Sequence, residues 1–206
     1  PEEVVTVHSR STRPTRADRG VSYPNYLDLR AGTSDVFAEL AAFSTVFVGL
    51  DVGEGTRRTL ASAVTANYFD IFGVKAAKGR TFRQDEDQPG NDRVVLLSHS
   101  LWESRFGSEA SIVGRDIVLN GNPYTVIGVV RHVIRQGPVD PGRTQVYGLF
   151  TQNPDGNMGV VIRVKGDPLA ISGPAREALR AINPQLAMFD LRTMNDRMGD
   201  LAAQPR

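Results

Sequence analysis

The hydrophobic pattern alternates between period two and period three-to-four, so the chain mixes strands with short helices. Val4, Val5 and Val7 predict a strand over residues 4–8. Ser22 stands where an N-cap precedes an early-turn Pro24, and Tyr23, Tyr26 and Leu27 form one face of a helix over 23–31. Val46, Val48, Leu50 and Val52 alternate with Phe47, Gly49 and Asp51 in a strand over 45–52. Gly53-Glu54-Gly55 turns the chain into a second strand over 58–65. A short helix follows over 67–72. Val94 to Leu97 reads as a buried strand, and the Ser100/Glu103 spacing suits a capping box for the helix carrying Leu101, Trp102 and Phe106.

Asn120-Gly121 between Ile117–Leu119 and Tyr124–Val130 is the clearest hairpin signal, because both residues tolerate the positive φ of a type I′ turn. Strands are expected at 146–150 and 160–164. Ala175, Ala178, Leu179 and Ile182 give a helix over 169–182, followed by a strand over 186–190 and a last helix capped by Thr193. The outer elements thus run β-α-β-β-α-β over 4–8, 23–31, 45–52, 58–65, 169–182 and 186–190, the split βαβ order of ferredoxin-like folds. The expected fold is α+β: a ferredoxin-like subdomain over 1–73 and 167–206, with a mixed, β-rich subdomain inserted over 74–166.

Composition removes several classes of function. The chain has 206 residues, 40% hydrophobic and 23% charged, which suits a globular chain rather than a disordered or coiled-coil one. Lys+Arg 24 against Asp+Glu 23 leaves a net charge of +1, so no global field points to nucleic acid. Cys 0 excludes disulfides, thiolate metal sites and a cysteine nucleophile. The chain starts at Pro1 with no basic-then-apolar leader, and no apolar run approaches the roughly 18 residues of a membrane span. It therefore reads as a soluble piece of something longer.

Catalytic patterns are mostly missing. Gly53-x-Gly55 lacks a third glycine, since Arg58 stands there, and Lys78-Gly79 is not a phosphate-binding motif. Asp85-Glu86-Asp87-Gln88-Pro89-Gly90 begins like a calcium loop but fails at Pro89 and at Leu96, so a solvated turn is expected. His8, His99 and His132 lie far apart and read as surface or hydrogen-bonded imidazoles. His99 between Ser98 and Ser100 lacks a nucleophile elbow, and capping accounts for the serines. Tyr23, Tyr26, Phe43 and Phe47 read as core positions. Arg10, Arg13, Arg16 and Arg19, spaced by three in a polar stretch, are the one charge cluster that suggests an anionic partner.

A set of ordered motifs changes the picture. They are Ser22-Tyr23-Pro24-Asn25-Tyr26-Leu27-Asp28-Leu29-Arg30, then Val64-Thr65-Ala66-Asn67-Tyr68-Phe69-Asp70-Ile71-Phe72-Gly73-Val74, then Lys78-Gly79-Arg80-Thr81-Phe82. Val94 to Trp102, Arg105-Phe106-Gly107, Val113-Gly114-Arg115, Leu119 to Val129 and Asp190-Leu191-Arg192-Thr193-Met194 follow. Over residues 20–201 this succession resembles the extracytoplasmic core domain of MacB-like and FtsX-like ABC-transporter permeases, in particular large duplicated permeases without a fused ATPase.

The resemblance implies a porter-like βαβ subdomain with an inserted Sabre-like subdomain, held between two membrane helices on the outer side of the cytoplasmic membrane. It implies mechanotransmission rather than catalysis, with no catalytic residue, metal or cofactor in this domain. The partners it implies are a second permease copy or pseudo-repeat, a cytoplasmic ATPase subunit reached through the membrane helices, and a periplasmic adaptor or lipoprotein cargo. Arg10, Arg13, Arg16, Arg19, Arg135 and Arg143 lie in or beside loops with little to match and are the candidate partner contacts. The alternative is a free-standing extracytoplasmic ligand-binding or sensor domain.

Overall fold

The computed structural model describes residues 4–11, 21–33, 37–53, 55–88, 90–91, 93–131, 144–152, 158–164, 173, 177 and 186–193. The chain divides into two compact units, one from residues 1–43, 135–138 and 154–206, the other from 44–134 and 139–153.

In the first unit the described elements are β1 (Val4–Ser11), α1 (Tyr23–Gly32), the start of β2 (Phe37–Asp51), β9 (Gly159–Val164) and β10 (Leu186–Thr193). The strands lie in the order β10-β1-β9-β2, each neighbour antiparallel. Counted along the unit this is fourth-first-third-second, the ferredoxin-like arrangement expected from the split βαβ order. The central β9 is apolar nearly throughout, with Val160, Val161, Ile162 and Val164 buried. α1 starts as predicted: the Ser22 hydroxyl accepts the Asn25 N–H at 3.4 Å and Pro24 sits in the first turn. Its Tyr26 and Leu29 are buried, and Tyr26 OH donates to the Leu40 carbonyl at 3.2 Å. The helix ends at Thr33, whose hydroxyl donates to the Leu29 carbonyl.

The third strand of that sheet corrects the sequence reading. It is β9, whereas β3 (Thr56–Val64), the strand expected at 58–65, runs parallel to β8 (Gln145–Leu149) in the second unit. Periodicity identifies a strand but not its partner. The compact units divide at 43/44 and 153/154, and β3 lies with the inserted segment. β2 has 15 residues, about 50 Å of extended chain, and contributes to both units. Of the helix expected over 169–182, only Gly173 and Glu177 are described, and both are helical. The last helix expected after Thr193 lies outside the described residues.

The second unit carries the end of β2, β3, α2 (Tyr68–Ile71), β4 (Ala76–Gly79), β5 (Val94–Ser98), α3 (His99–Phe106), β6 (Asp116–Leu119), β7 (Asn122–Val130) and β8. Strands β2-β3-β8-β5-β7-β4 are neighbours in that order, and β6 joins β2 to β7. β5 and β7 are parallel, with α3 in the connection, so this unit contains a βαβ crossover. Leu101, Trp102 and Phe106 of α3 pack into one core with Val95, Leu97 and Val126. The hairpin forms as read: Leu119 pairs with Asn122, and Asn120 and Gly121 take φ of 49° and 81°.

Two further details differ. α3 is capped by Ser98, not Ser100, with the Leu101 N–H at 3.2 Å from the Ser98 hydroxyl. β4 was not legible because Ala76-Ala77-Lys78-Gly79 has no β-branched or aromatic residue.

Candidate functional site

Among the described residues the second unit holds the features that bear on function. The acidic turn is not simply solvated. Glu86 and Asp87 are buried, and Arg80 grips Glu86 with both guanidinium arms, Nη1 to Oε2 at 2.9 Å and Nη2 to Oε1 at 2.5 Å. The Arg83 N–H also donates to Glu86 Oε2 at 2.8 Å. Burial opposes ionisation of Glu86, but the hydrogen bonds from Arg80 and Arg83 outweigh it and hold the carboxyl below its usual range. This is a structural clamp, since both oxygens are occupied. No group of His, Asp and Glu among the described residues has the makings of a metal site.

A second polar cluster joins strands to helix. The Ser98 hydroxyl accepts the Leu101 N–H at 3.2 Å and the Gln145 N–H at 3.0 Å. The Gln145 side chain bridges Ser62 and Tyr147 in turn. These groups are fully buried and mutually satisfied, so they fix the β3–β8–β5 register rather than face a substrate. His99 is exposed, 3.2 Å from Glu103 and edge-on to Trp102, and forms no dyad with Ser98 or Ser100.

Two recesses lined by described residues open on this unit. One of about 210 Å³ lies among Val46, Ala61, Asn122, Tyr124 and Gln152, smaller than the roughly 300 Å³ at which small-molecule sites begin. The other, about 420 Å³, is lined by Leu50 and Phe106 with Arg57, Arg105, Arg115 and Glu109. Arg115 is held by Glu109 at 2.8 Å. On the opposite side of the β2–β3 hairpin Phe47 is 58% exposed beneath the Arg58 guanidinium, 3.8 Å above its ring. Phe47 is thus a surface position, not the core position expected of it, whereas Tyr26 is buried and Phe43 half-buried.

Arg10 lies in β1 opposite Ala187 of β10. Arg13, Arg16, Arg19, Arg135 and Arg143 fall outside the described residues. The arginine cluster that the described residues bring together, Arg57 with Arg105 and Arg115, was invisible to spacing because it assembles from distant segments. Arg105 and Arg115 stand in the sequence only as part of other motifs, and Arg57 in none. No helix among the described residues is long and apolar enough to cross a membrane.

The described residues form an α+β architecture in two compact units, in which the Arg80–Glu86 and Ser98–Gln145 groups hold elements together. Residues 2–167 match the family model of the MacB-like periplasmic core domain, and the chain belongs to that family, a transporter-permease family and not an enzyme family. It is 35% identical over 69 residues to the macrolide export ATP-binding/permease protein MacB of Escherichia coli (strain K12), and equally to that of Shigella dysenteriae serotype 1 (strain Sd197). Each match covers 34% of this chain and 10% of the relative, so the chain spans a small part of the curated proteins it matches.

The fold is similar to the crystal structure of the periplasmic region of MacB from Actinobacillus actinomycetemcomitans, with a TM-score of 0.76 and 16% identity over 99% of this chain and 94% of that one. It is also similar to the extracellular domain of the noncanonic ABC-type transporter YknZ from Gram-positive bacteria. That match has a TM-score of 0.70 and 16% identity over 92% of this chain and 100% of that one.

Proposed function

We propose that this chain is the extracytoplasmic domain of an ABC-type permease and works by mechanotransmission, carrying ATP-driven motion of membrane helices to a partner or cargo outside the membrane. The family match over residues 2–167 carries the reading. The described part of the second unit supports it with a sheet tied by buried hydrogen bonds, a build suited to moving as a solid piece. In this reading ATP is hydrolysed by a cytoplasmic ATPase subunit coupled through the membrane helices. A second permease copy or pseudo-repeat faces this domain, and a periplasmic adaptor or lipoprotein is the object of the motion.

The placement is directly testable. The chain has Cys 0, so Glu103→Cys on the exposed side of α3 gives a single thiol in this domain. In intact cells expressing the full-length permease, the reading expects labelling of that thiol by a membrane-impermeant maleimide. Labelling only after lysis would place the domain inside and overturn it.

A further inference from the structure

The recess around Arg57, Arg105 and Arg115 has an unbalanced charge. Among the described residues Glu109 is the one carboxylate at it, and its oxygens are committed to Arg115 at 2.8 Å and to the Ser111 hydroxyl at 2.7 Å. Arg57 and Arg105 have no ion-pair or side-chain hydrogen-bond partner among the described residues. The last-turn position of Arg105 on α3 suits the helix dipole, but that accounts for neither Arg57 nor their convergence on one recess. Leu50 and Phe106 are buried behind them, and Arg115 lies 5.9 Å from the Phe106 ring.

We infer that this recess docks an acidic segment of a partner protein, seating a carboxylate on the guanidiniums of Arg57 and Arg105. Guanidiniums match planar carboxylates in a two-pronged geometry, which sets the preferred anion. A volume of about 420 Å³ holds one or two side chains, not a folded element. A nucleic-acid backbone needs a track of cations, and this cluster is a single point on a chain of net charge +1. The inference goes beyond the mechanotransmission reading, since binding by the 206-residue chain does not depend on where the domain sits or whether it moves.

The test is fluorescence anisotropy with a labelled peptide of alternating Glu and Leu against the same peptide with Gln for Glu. The expected result is saturable binding of the acidic peptide only, weakened about tenfold by the double variant Arg57→Gln/Arg105→Gln and weakened further as salt rises. Both side chains are exposed, so thermal unfolding of the variant should match that of the parent. Arg93→Gln, elsewhere on the unit, serves as the control and should leave binding unchanged. Equal binding of the Gln peptide, no loss in the double variant, or no saturation at all overturns the inference. Displacement of the peptide by equimolar inorganic phosphate also overturns it, by showing a general anion site.

Discussion

Asn120 and Gly49 exchange two hydrogen bonds across the second unit: the Asn120 N–H donates to the Gly49 carbonyl at 2.8 Å, and the Gly49 N–H donates to Asn120 Oδ1 at 2.7 Å. A turn residue with φ of 49° therefore also extends the β6–β2 ladder. Asn120→Gly keeps the backbone freedom and loses one acceptor, so it should cost about 1 kcal/mol. Asn120→Ala adds the penalty of a left-handed residue and should cost about 1–2 kcal/mol more. Urea unfolding of the two variants separates the contributions. A Cβ on Gly49 would lie 2.6 Å from Thr56 Cγ2, so Gly49→Ala should also destabilise, with Thr56→Ser restoring part of the loss.

Gly79 and Gly128 face each other in the β4–β7 pair, and neither has room for a methyl group. A Cβ on Gly79 would lie 2.2 Å from the Ile127 carbonyl oxygen, and one on Gly128 would lie 2.4 Å from that of Arg80. The obstacles are backbone atoms, which no rotamer change can move aside. Gly128→Ala should cost about 3 kcal/mol, with a clear fall in Tm. A loss below about 0.5 kcal/mol, the range of ordinary surface substitutions, would show that the two strands do not approach this closely.

The Arg80–Glu86 clamp makes acid stability a readable quantity. The folded-state carboxyl of Glu86 titrates below its usual value of 4.5, so its contribution is present above that value and is lost as pH falls through the lower, folded one. Glu86→Gln should lower stability at neutral pH by about 1.5–3 kcal/mol by leaving Arg80 without its charged partner. It should also flatten the decline of stability on acidification. Parallel pH–stability curves for the two proteins would contradict the assignment.

Ser98 serves two elements at once, capping α3 and receiving the Gln145 N–H of β8. Ser98→Ala should cost about 2 kcal/mol or more, since a cap is worth about 1 and a buried, unpartnered N–H adds at least as much. Ser100→Ala should cost clearly less, because the Leu101 N–H goes to Ser98. His99→Ala, on the surface of α3 beside Glu103, should stay within about 0.5 kcal/mol of the parent.

Local signals were legible wherever one or two residues decide a conformation. Ser22 with Pro24 placed the start of α1, and Asn120-Gly121 placed a hairpin whose register is as read. Pairings between distant strands were not legible. β3 was assigned to the first unit because its alternation carries no mark of β8 as its neighbour, which lies across the whole inserted segment. The family motifs supplied the class of protein but not its surfaces. Arg57 and Arg105 look unremarkable in the sequence and acquire meaning only because β3 and the end of α3 meet at one recess. Of the periodic arginines at Arg10 to Arg19, the described residues include Arg10, in β1.

The central claim is that this domain moves with the ATPase cycle. The most direct measurement is the distance between two spin labels in the full-length permease, one at Glu103→Cys and the other at the corresponding site of the second copy or pseudo-repeat. The distance is compared without nucleotide and with ATP trapped. The account predicts distinct distance distributions in the two states, while labels placed at two sites within the second unit keep one distance throughout. An inter-domain distance that stays the same through the cycle, in a transporter that still hydrolyses ATP and moves its cargo, would contradict it.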